Sequence, residues 1–158
     1  MPRMTHTFFA CQKISWEPDP KSFSRLWKRG IIQMPMTYGD LSEMLLSIGG
    51  DAVVPAREDG DDFNRAVMRR GQFFRSGAFM ANMKACDCHG NVSRLYLEGY
   101  PLWIATGYAL SNDGLWRSHT WGVSRKDGEV VETTEPRVAY YGFVMPKRLS
   151  DEFARDNA

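Results

Sequence analysis

The sequence predicts an α+β fold in which a helix-rich N-terminal half packs on a mainly antiparallel sheet. Three observations carry this expectation. Apolar residues at helical spacing, bounded by caps and glycine stops, prevail before residue 85. One more amphipathic segment follows, between residues 88 and 99. Beyond residue 100 the chain turns to runs rich in aromatic and β-branched residues, separated by turn sequences. At 158 residues it is expected to form a single domain, 1–158, with a helical part over about 1–84 and a helix plus antiparallel strands over about 85–146.

The first element expected is a short helix around Phe23 to Arg29. "TYGDLSEMLLSIGG" then supplies Thr37 as N-cap and Asp40 and Glu43 near the positive end of the helix dipole. Leu41, Met44, Leu45 and Ile48 form an apolar stripe, and Gly49-Gly50 is the stop. "VPAREDGDD" at 54 to 62 reads as a linker, leading to a second helix between Asp61 and Arg70. In "RAVMRRGQFFR" the residues Arg65, Arg69, Arg70 and Arg75 alternate with apolar ones, as on a solvated helix face. The next helix begins near Cys88 and ends at Gly99, with Val92, Leu95 and Tyr96 on one face. After it come "LWIATGYAL" (102 to 110), the turn "SNDG", "LWRSHTWGVSR" (115 to 125), the turn "KDG", "EVVETT" (129 to 134) and "RVAYYGFVM" (137 to 145). These runs are expected to form an antiparallel meander of about four strands, with Trp103, Trp116 and Trp121 in the core.

Composition narrows the function classes. With 43% hydrophobic and 25% charged residues the chain is of globular type, neither disordered nor collagenous. A net charge of +1, with no concentrated basic run, argues against nucleic acid or a membrane surface as partner. No segment approaches the roughly 20 apolar residues of a membrane span, and the start lacks a signal-type apolar core, so a cytoplasmic setting is expected. Three cysteines, Cys11, Cys86 and Cys88, are odd in number and unevenly spaced, which favours free thiols over a disulfide framework. No cofactor is expected.

The chemistry concentrates in "CDCHGNVSRLYLEG". A nucleophilic thiol needs a lowered pKa, and the first helical turn, where Cys88 falls, supplies it through unpaired N–H groups and the dipole. His119, in mid-strand, is the candidate base, and Glu132 on the next strand is the candidate group to orient its imidazole. Both flank one turn and can share a face of a hairpin. Trp121, two residues after His119, would share that face and cover the ring, and with Asn91, one turn into the helix, it is a candidate substrate-binding or supporting residue. The competing metal reading groups Cys86, Cys88, His89 and His119 as a tetrahedral zinc set, but C-x-C-H lacks the usual two-residue gap, and no metal is expected.

In their order these residues resemble the core of the transglutaminase-like, papain-type thiol proteins. The stretch "HTWGVSRKDGEVVETT" (His119, Trp121, Gly128, Val131, Glu132, Thr133) is similar to the "HAW…G…V.DPT" pattern of that superfamily, with Glu132 where Asp is usual and Thr133 where Pro is usual. "CHGNV" resembles the "CFxNA" helix start of small bacterial and phage members, whose "YVEGYA" strand has "WIATGYA" in its place here. The likeness spans residues 84 to 135. It implies a papain-like α+β core and thiol-dependent acyl transfer or hydrolysis of a peptide or small-molecule amide or ester, with Cys88 as nucleophile, His119 as base and Glu132 as orienting acid. The superfamily also holds members without chemistry. A non-catalytic binding protein with a degenerate site is thus one alternative, and a small zinc-binding domain is another.

Overall fold

A computed structural model describes residues 37–55, 61–74 and 78–158. The helix expected around Phe23 to Arg29, Cys11, Arg75 and most of the expected linker lie outside the described residues. The described elements are α1 (Tyr38–Ile48), β1 (Ala52–Val53), α2 (Asp61–Arg70), β2 (Gln72–Phe74), β3 (Phe79–Met80) and α3 (Cys88–Leu97), followed by β4 (Leu102–Leu110), β5 (Leu115–Ser124), β6 (Val130–Glu132), β7 (Ala139–Val144) and α4 (Lys147–Asn157). None of the described helices is long and apolar enough to cross a membrane.

Local chemistry explains the helices. The Thr37 hydroxyl accepts from the Asp40 N–H at 3.4 Å while the Asp40 carboxylate accepts from the Thr37 N–H at 2.6 Å, a reciprocal cap that starts α1. Leu41, Met44 and Leu45 are its buried stripe, and the chain leaves through Gly49 and Gly50. The last turn of α2 carries Arg69 and Arg70, where the dipole favours cations. α3 buries Val92 and Leu95 and is tied to α4 by the Tyr96 hydroxyl, which donates to Asp151 at 2.6 Å.

The fold is α+β, but two expectations about its order need correction. The last four strands are no meander. The strand order is β2-β7-β4-β5-β6-β3, so β7 returns past β6 to pair with β4. A nine-residue β4 offers a longer edge than a three-residue β6 whose outer side β3 already holds, and the Val138 N–H donates to the Leu110 carbonyl where β7 begins. The part expected to be helical also contributes β1, β2 and β3, of two or three residues each, too short to display a period of two. β1 and β3 pair in parallel with β5 and β6, and the other pairings are antiparallel. Helix α4 was also not expected. Its signal is Pro146 followed by a strongly polar segment in which only Ser150 and Ala154 are buried.

The two sheet faces differ. Leu102, Ile104, Tyr108 and Leu110 of β4 meet Leu41, Leu45, Val67, Val92, Leu95 and Ala154 of α1 to α4 in one core. On the other face Phe74, Ala105, Ala109, Trp121, Val123, Val130 and Tyr140 form a second cluster, to which no described helix contributes. Trp116 and Trp121 are fully buried, as expected of strand aromatics, whereas Trp103 is 43% exposed beneath the Arg125 guanidinium, 5.9 Å from its ring.

Gly107 lies between His119 on β5 and Gly142 on β7 in register. A Cβ at Gly107 would collide with the Tyr141 backbone, and one at Gly142 would collide with the Thr106 carbonyl and come within 2.8 Å of the Trp121 ring. The bare pair lets β4 and β7 close and leaves room for the Trp121 indole. Gly142→Ala is therefore expected to lower stability by about 1–3 kcal/mol through overpacking. Urea denaturation measures this, and an unchanged midpoint would show that the strands part without loss.

Candidate active site

The site begins with a gap in the sheet. On the edge of β5 away from β4, β1 pairs with Leu115 and Trp116 and β6 with Gly122 and Val123, so residues 117–121 have no described strand partner there. The N-terminus of α3 fills this gap. The backbone N–H of Thr120 on β5 acts on the thiol of Cys88, the first residue of α3, and helps to lower its pKa. The thiol comes from the sheet edge and the imidazole stands on the face away from the helices.

The Cys88 thiol and the His119 imidazole interact side chain to side chain, each shifting the pKa of the other. On its far side His119 Nε2 meets Glu132 Oε2 at 2.8 Å. Because an ionised carboxylate only accepts, Nε2 carries the hydrogen and Nδ1 is left for the thiol. The expected hairpin geometry is present: Gly122 opposes Val131, which sets His119 diagonal to Glu132 on one face. Trp121 lies nearly parallel to the imidazole, with centroids 6.2 Å apart and planes at 19°, and is backed edge-on by Phe74 at 5.5 Å.

Glu132 is fully buried, and its carboxylate is saturated. Oε1 accepts from the Thr133 N–H at 2.8 Å and from the N–H and hydroxyl of Thr134, each at 2.9 Å. Oε2 accepts from His119 and from the Tyr140 hydroxyl at 2.9 Å. Burial pushes the carboxyl pKa up, but the His119 hydrogen bond and charge, with the Thr134 donors, outweigh it and hold the value down at about 2. For His119, burial disfavours the cation, yet the hydrogen bonds and charges of Cys88 and Glu132 raise its pKa to about 9. Burial likewise opposes ionisation of Cys88, which is overcome by the hydrogen bond and charge of His119 and by the Thr120 N–H, so its pKa is lowered. Tyr140 moves the other way, raised by burial and then by the Glu132 charge and hydrogen bond, so it remains a donor.

Asn91 is fully buried and acts behind the site. Its amide donates to the Lys84 carbonyl at 2.7 Å and the Thr133 carbonyl at 3.4 Å, and its oxygen accepts from Arg94 at 2.7 Å. It thereby fixes α3 to the residue after Glu132. Asp87, next to the thiol, is neutralised by Lys84 and Arg94, each at 3.3 Å. Among the described residues no group of three or more His, Cys, Asp or Glu side chains is arranged to hold a metal ion. Cys86 is exposed, and His89 packs edge-on against Phe153 of α4 with centroids 5.3 Å apart.

Sequence reasoning missed Tyr140, Thr134 and the Thr120 N–H. The tyrosine is on β7, whose placement beside β4 was not foreseen, and a backbone donor has no letter in the sequence. Comparison with protein-family models, with curated proteins and with solved structures gives no match to this chain.

Glu132→Ala strips an acceptor from His119, Tyr140 and two threonines, and is expected to cost about 3–5 kcal/mol at pH 7. The lowered carboxyl pKa means that its contribution is complete above the ordinary value of 4.5 and is lost as pH falls through about 2. The raised imidazole pKa means that His119 contributes fully below 6.5 and loses this as pH rises through about 9. The stability difference between the two proteins should therefore narrow at both extremes in urea titrations, and a pH-independent difference would contradict the ionised pair. Tyr140→Phe, which removes one donor to a charged group, should cost about 1.5–3 kcal/mol.

Proposed function

We propose that this chain is a thiol enzyme that transfers or hydrolyses the acyl group of an amide or ester through Cys88, His119 and Glu132, on a core of papain-like, transglutaminase-like type. The observation that carries the reading is the relay itself. A buried imidazole, 4% exposed, interacts with a helix-terminal thiol on one side and is hydrogen-bonded to a saturated carboxylate at 2.8 Å on the other. A nucleophile, a base and a group orienting the base are what acyl transfer requires in that order.

The steps follow from the protonation states. Between the lowered thiol pKa and the imidazole value of about 9, the pair exists as thiolate and imidazolium. The thiolate attacks the carbonyl carbon, and the tetrahedral oxyanion takes the Cys88 backbone N–H at the start of α3. Collapse expels the amine or alcohol, which receives its proton from His119, and leaves a thioester. Neutral His119 then draws a proton from water or an acceptor amine as it attacks the thioester, and the released thiolate regains the imidazolium as its partner. Glu132 keeps Nε2 protonated throughout, so that Nδ1 alone serves as the working nitrogen. The order of Cys88, His119 and Glu132 along the chain supports the superfamily assignment.

Iodoacetamide tests the reading. Cys88 should alkylate faster than the exposed Cys86 at pH 7 despite its partial burial, with an apparent pKa below the unperturbed thiol value of about 8.5. His119→Ala should move that apparent pKa back toward about 8.5. Mass spectrometry of partly labelled protein resolves the two sites. Protection of Cys88 until denaturation, or equal rates at both thiols, would sink the proposal.

A further inference from the structure

The backbone of β5 alternates between its two edges. The Ser111 N–H donates to the Leu115 carbonyl at 3.0 Å and the Arg125 N–H to the Pro101 carbonyl at 2.8 Å, so the odd-numbered residues turn their polar groups to the β4 side and the even-numbered ones to the opposite edge. On that opposite edge the Trp116 carbonyl accepts from the Val54 N–H at 2.8 Å, the Thr120 N–H acts on the Cys88 thiol, Gly122 opposes Val131, and the Ser124 N–H donates to the Glu129 carbonyl at 2.9 Å. Between them Ser118 is exposed, and its outward N–H and C=O meet no partner among the described residues.

This open position lies beside the reacting sulfur. Ser118 and Thr120 face the same edge of one strand, separated by a single ladder step of about 7 Å, and the Thr120 N–H is the one that acts on the thiol. Ser118 also directly precedes the His119 base. An unpaired strand edge invites another chain, and folds ordinarily cover it. Here β1, α3 and β6 occupy the rest of the edge, and the step left free is the one next to the nucleophile.

Chemistry selects the occupant. One N–H and one C=O turned the same way from one residue are the complement of a residue of another extended chain, which returns one C=O and one N–H. An amide or ester with no flanking peptide bond offers no such pair. The half held there is the acyl half, because it alone stays through both steps, whereas the leaving half departs once the thioester forms. We infer, on the basis of the thiol reading above, that the substrate is a polypeptide whose acyl half lies extended along the open step of β5, exchanging backbone hydrogen bonds with Ser118 so that its reacting carbonyl comes to Cys88.

The test uses the full chain and chloromethyl ketones, from which the Cys88 thiolate displaces chloride to form a thioether. Labelling rates are read by mass spectrometry and divided by each protein's own iodoacetamide rate. Acetyl-Ala-Ala-Ala-CH2Cl should label Cys88 at least about tenfold faster than acetyl-Ala-CH2Cl, which lacks a second residue to exchange both bonds. Methylating the tripeptide amides one at a time should show a period of two, with a sensitive amide next to an insensitive one. Ser118→Pro removes the outward N–H and leaves the bonds to β4 in place, so it should erase most of the tripeptide's advantage. The methylation series uses wild-type protein and decides the matter if Ser118→Pro does not fold. Equal rates for the long and short ketones, equal sensitivity at adjacent amides, or an advantage that survives in folded Ser118→Pro would overturn the edge assignment while selective iodoacetamide labelling leaves the thiol reading standing. Loss of that selective labelling overturns the thiol reading and the polypeptide inference together.

Discussion

A buried carboxylate fixes the arrangement of this molecule. Glu132 accepts five hydrogen bonds, which come from β5, from the two residues that follow β6, and from β7. An uncompensated charge in that position would be among the costliest groups a small domain can bury. The fold therefore has to bring the donors to it. His119 must sit on the adjacent strand, β7 must cross back so that Tyr140 reaches over from beyond β4, and residues 133–134 must curl around Oε1. The raised imidazole pKa follows from the carboxylate and the thiol together, and the lowered pKa of Cys88 follows from the imidazole.

Local features of the fold were legible in the sequence because they depend on neighbouring residues. The cap, stripe and glycine stop of α1 occupy a single stretch, and the bounds of α2, β4 and the start of α3 follow from equally local patterns. What could not be read is what depends on competition between distant edges. Whether 137–145 adds to β6 or to β4 is decided by which edge is longer and free, and no residue in that run states it. Strands of two or three residues leave no period to find, whereas α4 carries Leu149, Phe153 and Ala154 at helical spacing and was legible in principle.

The candidate site divides in the same way. Cys88, His119, Glu132 and Trp121 were accessible because a helix start and one hairpin bring them together, and the hairpin register is set by a short turn. Asn91 was expected as a substrate-binding or supporting residue, and it braces α3 against Thr133, a task that becomes visible only once β6 ends beside that helix. Tyr140 was out of reach for the reason that misplaced β7. The gap between β1 and β6 along β5, through which sulfur meets imidazole, is a property of topology alone.

The order in which these parts occur along the chain has a consequence for synthesis. Cys88 leaves the ribosome first, His119 and Glu132 follow, and Tyr140 comes after them. A nascent chain ending before β6 holds a cysteine flanked by Asp87 and His89 but lacks the Glu132 carboxylate that raises the imidazole pKa and holds Nε2. The lowered thiol pKa is thus a property of the folded hairpin and helix together rather than of the local sequence, and it arises only after the interval when exposed apolar segments make the chain most vulnerable to wrong partners.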